Sequence, residues 1–244
     1  MSSTDNNNND DARPLYAQVR ERLVERIRSG EWRPGQLIPN EFEIAREFGV
    51  SQGTARKAIG ALAADGLVLR RQGRGTFVVE HTPAHVLFRF FNLFDDTGVA
   101  VIPDSRDATS RLAEANDDER HALGLDDAAR VIRITRTRTR NGTPFIRETI
   151  TLPEPLFPGF VDRPEVANTL YDLFQKEYRV LVMRTEDRLS AAAADAETAM
   201  ALAISPGTPL LRIARIALAL DHTPVEWRVS LCHLDRAHYL ARTK

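Results

Sequence analysis

Residues 123–136, LGLDDAARVIRITR, and residues 202–215, LAISPGTPLLRIAR, align at an offset of 79. The alignment sets Arg133 on Arg212, Ile134 on Ile213 and Arg136 on Arg215. Each copy runs into a hairpin signal, Asn141-Gly142-Thr143-Pro144 in the first and Asp221-His222-Thr223-Pro224 in the second. Such residues suit tight turns because they tolerate left-handed backbone or bond to it locally. Each copy is expected to follow a helical segment, at about 110–122 and 190–203, with a third helix over EVANTLYDLFQKEY, 165–178, between them. A doubled helix–strand–hairpin unit predicts one α+β domain around an antiparallel sheet with pseudo-symmetry.

The chain before His81 has another style. Pro14 opens an amphipathic helix with Leu15, Val19, Leu23 and Ile27 at four-residue spacing, ending near Gly30. After a Pro34-Gly35 turn, Asn40 and Glu43 form a capping-box signature for a second helix, which Gly49 ends. Ser51 is a good N-cap for a third helix running to Asp65-Gly66. LVLRRQGRGTFVVE then predicts two strands, 67–71 and 76–80, around a glycine-rich turn.

In the third helix Ala55, Ala58, Ile59 and Leu62 make one apolar face, and Gly53, Lys57 and Gly60 lie opposite, flanked by Thr54 and Arg56. A short turn followed by a helix with a polar, basic outer face is how a helix-turn-helix meets the major groove. A solvated helix on a small bundle fits that helix alone equally well. The turn Arg70-Arg71-Gln72-Gly73-Arg74-Gly75 shifts the balance, because Arg74 stands between two glycines and can approach a minor groove closely. Charge agrees: residues 13–80 carry 12 Lys/Arg against 8 Asp/Glu, whereas the whole chain has a net charge of -1.

The runs PLYAQV (14–19), GEWRPGQLIPNEFEIAREFGVS (30–51) and TARKAIGALAADGLVLRRQGRGTFV (54–78) resemble the winged helix-turn-helix of GntR-family bacterial transcription regulators. The resemblance implies DNA contacts from Ser51, Thr54, Arg56 and the turn around Gly73 and Gly75, to which the outer face of the third helix adds Gln52 and Lys57 and the turn tip adds Arg74. Family members often carry arginine where this chain has Phe42 and Gln52. Gln52 could pair with adenine instead, so the operator is expected to differ from the usual family sequence.

On strand 131–140, Ile132, Ile134, Arg136, Arg138 and Arg140 share one face. Arginines two residues apart lie about 7 Å apart on a sheet face and can grip one carboxylate or phosphate. Glu148, on the returning strand, could accept hydrogen bonds from the same ligand. A solvated strand of alternating charge is the alternative, and continuity with Ile132 and Ile134 argues for burial. RTRTRNGTPFIRE (136–148), SAAAADAETAMALAISPGTPLLRIARIAL (190–218) and VEWRVSLCHLDRAHY (225–239) resemble the UTRA effector-binding domain of the HutC subgroup, whose fold is similar to chorismate lyase. In that resemblance Arg136, Arg138, Glu148, Thr169 and Cys232 are the effector-binding residues, with Cys232 standing where a tyrosine is often found. FRFFNLFDD (88–96) lies near the junction and is expected to supply core phenylalanines or to line the pocket entrance.

The domains expected are a disordered tail (1–12), a winged helix-turn-helix (13–80), a linker (81–87) and a UTRA-like domain (88–244). No GxSxG, GxGxxG or Walker sequence occurs, the six histidines have no ligand spacing, and Cys232 is the single cysteine. No catalytic residue, metal or cofactor is therefore expected. The start has no apolar segment of a secretory signal, and no run of about 18 apolar residues suggests a membrane span. The expectation is a cytoplasmic, homodimeric repressor that binds double-stranded operator DNA and a small, anionic effector. An enzyme on the lyase-like fold is the competing class.

Overall fold

In the computed structural model, which describes residues 13–80, 91–219 and 221–241, the chain divides into two units, Met1–Glu80 and His81–Lys244. The expected tail 1–12 and linker 81–87 lie outside the described residues, as do Phe88, Arg89 and Phe90.

The first unit runs α1 (Leu15–Arg28), α2 (Glu41–Phe48), α3 (Gln52–Ala64), β1 (Val68–Arg71) and β2 (Gly75–Val78). Asn40 Oδ1 accepts from the Phe42 and Glu43 amides, and Glu43 Oε2 accepts from the Asn40 amide at 2.8 Å, so the capping box forms in both directions. Gly49 closes α2 at φ +64°, a left-handed turn that glycine adopts without strain. Ser51 Oγ caps α3 by accepting from the Thr54 amide. The apolar faces close over a core of Val19, Leu23, Ile44, Ala55, Ile59 and Leu62. β1 and β2 pair from Val68↔Val78 to Arg71↔Gly75, and Leu37 bridges Phe77 beside them.

The second unit is a six-stranded antiparallel sheet in the order β4-β5-β6-β9-β8-β7. Its elements are β4 (Asp104–Glu114), α4 (Asp117–Leu123), β5 (Arg130–Arg140), β6 (Thr143–Pro153), α5 (Leu170–Tyr178), β7 (Arg184–Ala193), α6 (Ala196–Leu202), β8 (Pro209–Leu218) and β9 (Pro224–Cys232). Two short strands, β3 (Leu93–Asp95) and β10 (Ala237–Tyr239), pair apart from it. The offset of 79 carries α4 onto α6 residue for residue, and β5 onto β8. β6 and β9, the last strands of the two copies, pair at the centre, which gives the sheet its pseudo-twofold axis. The helices cross over: α4 packs on β9 and α6 on β6.

Three helical expectations are corrected. Residues 110–114 and 190–193 are not helix but the ends of edge strands, with Ser110 opposite Ile134 and Ala191 opposite Leu211. Ladder bonds to a neighbouring strand override the helical preference of alanine there. The helices start later, at the N-caps Asn116 and Asp195. The third helix begins at Leu170, not 165.

Directly opposed residues in antiparallel strands share a face. The rows Arg136–Glu148–Ser230–Ile213 and Ile134–Ile150–Arg228–Arg215 therefore point to one side of the sheet. At one end of that side α5 packs, in a core of Ile132, Ile134, Ile150, Leu152, Phe157 and Phe174. The opposite side carries α4, whose Glu119 receives Arg133 and Thr151.

Candidate functional site

In the first unit, Gln52, Gly53, Arg56 and Lys57 form an exposed face on α3, with Thr54 and Gly60 half-buried beside it. A Cβ on Gly60 would meet nothing within 4 Å, and one on Gly53 would meet only Ser51 Oγ at 3.7 Å. Packing among the described residues therefore does not require either glycine. Arg56 and Arg70 both donate to Glu41, at 2.8 and 3.1 Å, which ties α3 and β1 to the start of α2. Lys57 Nζ lies 3.9 Å from the centre of the Tyr16 ring. Beside Glu41, Phe42 is 64% exposed. In the turn, Gly73, Arg74 and Gly75 are exposed, and the glycines take φ of +69° and +105°. Gly75 also lets β2 approach Leu37, whose Cδ1 would lie 2.6 Å from an added Cβ.

In the second unit, Arg136 and Arg138 are buried and held by the chain's own groups. Arg136 donates through Nε to Glu148 Oε2 at 2.6 Å and through Nη1 to the Ala167 and Asn168 carbonyls. Arg138 donates to Ser105 Oγ, to Asn168 and to the Pro103 carbonyl, while its Nε finds no partner among the described residues. Burial, with Arg136 nearby, pulls the Arg138 pKa down to about 9. Burial alone would raise Glu148, but Arg136, Arg228 and Arg138 outweigh it and hold the carboxyl well below its ordinary range. Its Oε1 accepts from Ser230 at 3.2 Å and lies 3.5 Å from Arg228 Nη1. Thr169 precedes α5 without a side-chain capping bond.

A recess of about 350 Å³, part of it open to solvent, lies beside these groups. Its apolar wall is Phe91, Leu93, Ile146, Ile213 and Cys232, and its polar wall is Asn92, Glu148, Arg215, Arg228, Ser230 and Tyr239. Of the expected effector residues, Glu148 and Cys232 line it, whereas Arg136, Arg138 and Thr169 do not. Burial and the Glu148 charge push the Cys232 thiol up, so it faces the recess as a neutral, apolar group.

Arg215 and Arg228, opposite each other across β8 and β9, escaped the sequence reading. The repeat carried a signal, since it set Arg215 on Arg136. Arg215 donates through Nε and Nη2 to Asp187, each at 2.7 Å. Arg228 binds Glu226 through the same two nitrogens, and Glu226 also accepts from Tyr171. Despite burial, these carboxylates keep both arginines firmly cationic.

Residues 15–78 match the model of bacterial regulatory proteins, gntR family, and residues 101–238 match the UTRA domain. The HTH-type transcriptional repressor NagR of Bacillus subtilis is 30% identical over 94% of this chain and 96% of its own length. The histidine utilization repressor of Pseudomonas putida is 31% identical over 83% of this chain and 81% of its own. Among solved structures, PhnF from Mycobacterium smegmatis superposes with a TM-score of 0.54 at 27% identity, covering 93% of this chain and 99% of that one.

Proposed function

Since the chain belongs to the gntR family of bacterial regulatory proteins and joins that module to a UTRA domain, we propose that it is a transcriptional repressor controlled by a small, anionic metabolite. The observation that carries this reading is the pairing, in one chain, of an exposed α3 face beside an arginine-tipped turn with a cation-lined recess. The relatives named as repressors agree with it.

In this reading Ser51, Gln52, Thr54, Arg56 and Lys57 meet the major groove, and Gly73, Arg74 and Gly75 bring the turn to the minor groove. Ser51 also caps α3, so its hydroxyl orients the helix start as well as meeting DNA. The protein works in the cytoplasm as a homodimer, because two half-sites at fixed spacing give a symmetric regulator its operator. Effector binding changes that spacing by a coupling of about 1–3 kcal/mol. Arg136 acts from behind the recess by fixing Glu148, and with Arg138 it holds the 167–168 segment that leads into Thr169, while Glu148 and Cys232 face the ligand.

The test is binding of the purified protein to DNA from its own promoter region, measured across salt concentrations with and without metabolites. Salt-dependent binding that a metabolite weakens is the expected result. Absence of salt-dependent binding under every condition would overturn the reading.

A further inference from the structure

The recess offers a ligand very few unoccupied polar groups. Tyr239 donates to Asp187 and accepts from Asn92 Nδ2. Ser230 donates to Glu148, whose two oxygens are taken by Arg136, Ser230 and Arg228. Arg215 uses Nε and Nη2 on Asp187, which leaves its Nη1 without a partner among the described residues. Arg228 Nη1 has only the long 3.5 Å approach to Glu148. What remains open to a ligand is therefore two guanidinium corners, one amide oxygen on Asn92, and the apolar wall.

Charge points the same way. The buried cluster holds four guanidiniums (Arg136, Arg138, Arg215 and Arg228) against three carboxylates (Glu148, Asp187 and Glu226). Asp104, the further carboxylate near Arg138, is exposed and screened by water. The carboxylates pair with Arg136, Arg215 and Arg228, so the surplus positive charge sits on Arg138 behind the recess, and a single negative charge in the recess would offset it through the coupled cluster.

The repeat gives an internal comparison. Arg136 Nη1 donates to the Ala167 and Asn168 carbonyls, so the chain itself fills that place in the first copy. Among the described residues, Arg215, its counterpart 79 residues on, receives no such carbonyls. From these relationships we infer that the effector is a small monocarboxylate with an apolar body, its carboxylate received by Arg215 Nη1 and Arg228 Nη1 and its body lying on Leu93, Ile146, Ile213 and Cys232. A sugar phosphate fits poorly, because its hydroxyls would desolvate without partners and its second charge would exceed the one available. This inference rests on the C-terminal unit being the effector module.

The experiment uses the full chain bound to its promoter DNA. A panel of monocarboxylates of four to ten carbons (linear, cyclic and aromatic) is compared with the matched primary amides, with glucose 6-phosphate and N-acetylglucosamine 6-phosphate, and with inorganic phosphate. Thermal shift and DNA release are both read. At least one monocarboxylate is expected to raise the melting temperature and release DNA, with its amide inactive. Arg215→Lys, which gives up the fork geometry, should weaken that ligand at least tenfold. Because Arg215→Lys disturbs a buried pair, Asn92→Asp at the half-buried rim serves as a second variant, and its added charge should weaken the ligand about tenfold. Release by a sugar phosphate, or a panel with no active monocarboxylate, would overturn the ligand class while DNA binding left the regulator reading standing. Absence of DNA binding before any ligand is added would overturn the regulator reading itself.

Discussion

Arg136 and Glu148 face each other across β5 and β6, with Nε 2.6 Å from Oε2 and neither side chain more than 2% exposed. Glu148 is also the group on which Ser230 and Arg228 converge. Removing its charge leaves buried guanidiniums without compensation. Glu148→Ala should therefore cost about 3–5 kcal/mol, read as a lower midpoint for the second unit in urea unfolding.

The acid limb of stability follows from the same group. Glu148, Glu119 and Asp187 each have a folded pKa below the ordinary value, because their arginine partners outweigh burial. A carboxylate depressed in the folded state contributes stability above its unfolded pKa and loses it as the pH falls through the folded one. Melting temperatures should hold from about pH 7 to 5 and then fall below the ordinary carboxylate range of about 4. A flat profile down to about pH 3 would contradict these pairings.

Gly60 separates folding from DNA binding. Its added Cβ meets nothing, so Gly60→Ala should stabilise α3 by roughly 0.5–1 kcal/mol through helix propensity. Gly53→Leu places bulk at the first turn of the exposed face and should weaken operator binding with little change in melting temperature. Loss of stability with unchanged DNA affinity would remove the glycines from the DNA face.

Glu41 accepts from Arg56 and Arg70, and in the proposed interface it would compete with phosphate for them. Glu41→Gln removes one negative charge from the proposed interface and frees both guanidiniums. Affinity for DNA of any sequence should rise several-fold, and the salt dependence should steepen by about one counterion for each new phosphate contact. Titrations at two or more salt concentrations measure both effects.

Phe42 offers the complementary change. It is 64% exposed at the second position of α2, so Phe42→Arg should leave stability within about 0.5 kcal/mol. DNA binding should tighten and become more salt-dependent, and an unchanged salt slope would place this position away from phosphate.

The sequence made the first unit legible because its signals are local. Asn40 with Glu43, Gly49 and Ser51 each act within four residues, and each forms the expected contact. In the second unit the repeat located the hairpins and the doubling. Alanine-rich 190–193 misled because the pairing of β7 with β8 is decided by a partner 16 or more residues away. Arg136 and Glu148 were visible as cross-strand candidates, but their mutual capture was not, since the alternative of gripping a ligand has the same spacing. Arg215 and Arg228 became recognisable only once register set them opposite each other.

The crossing of α4 onto β9 and of α6 onto β6 makes the two repeats interdependent. Each half supplies the cover for the other's inner strand, so neither can be excised as a miniature domain. A cut in the 179–183 connection would leave β6 in one fragment and β9 in the other each open along one edge, exposing apolar surface until the two recombine. Such long-range closure makes completion of the six-stranded sheet slow, because it waits for its last strand in sequence, β9, to arrive.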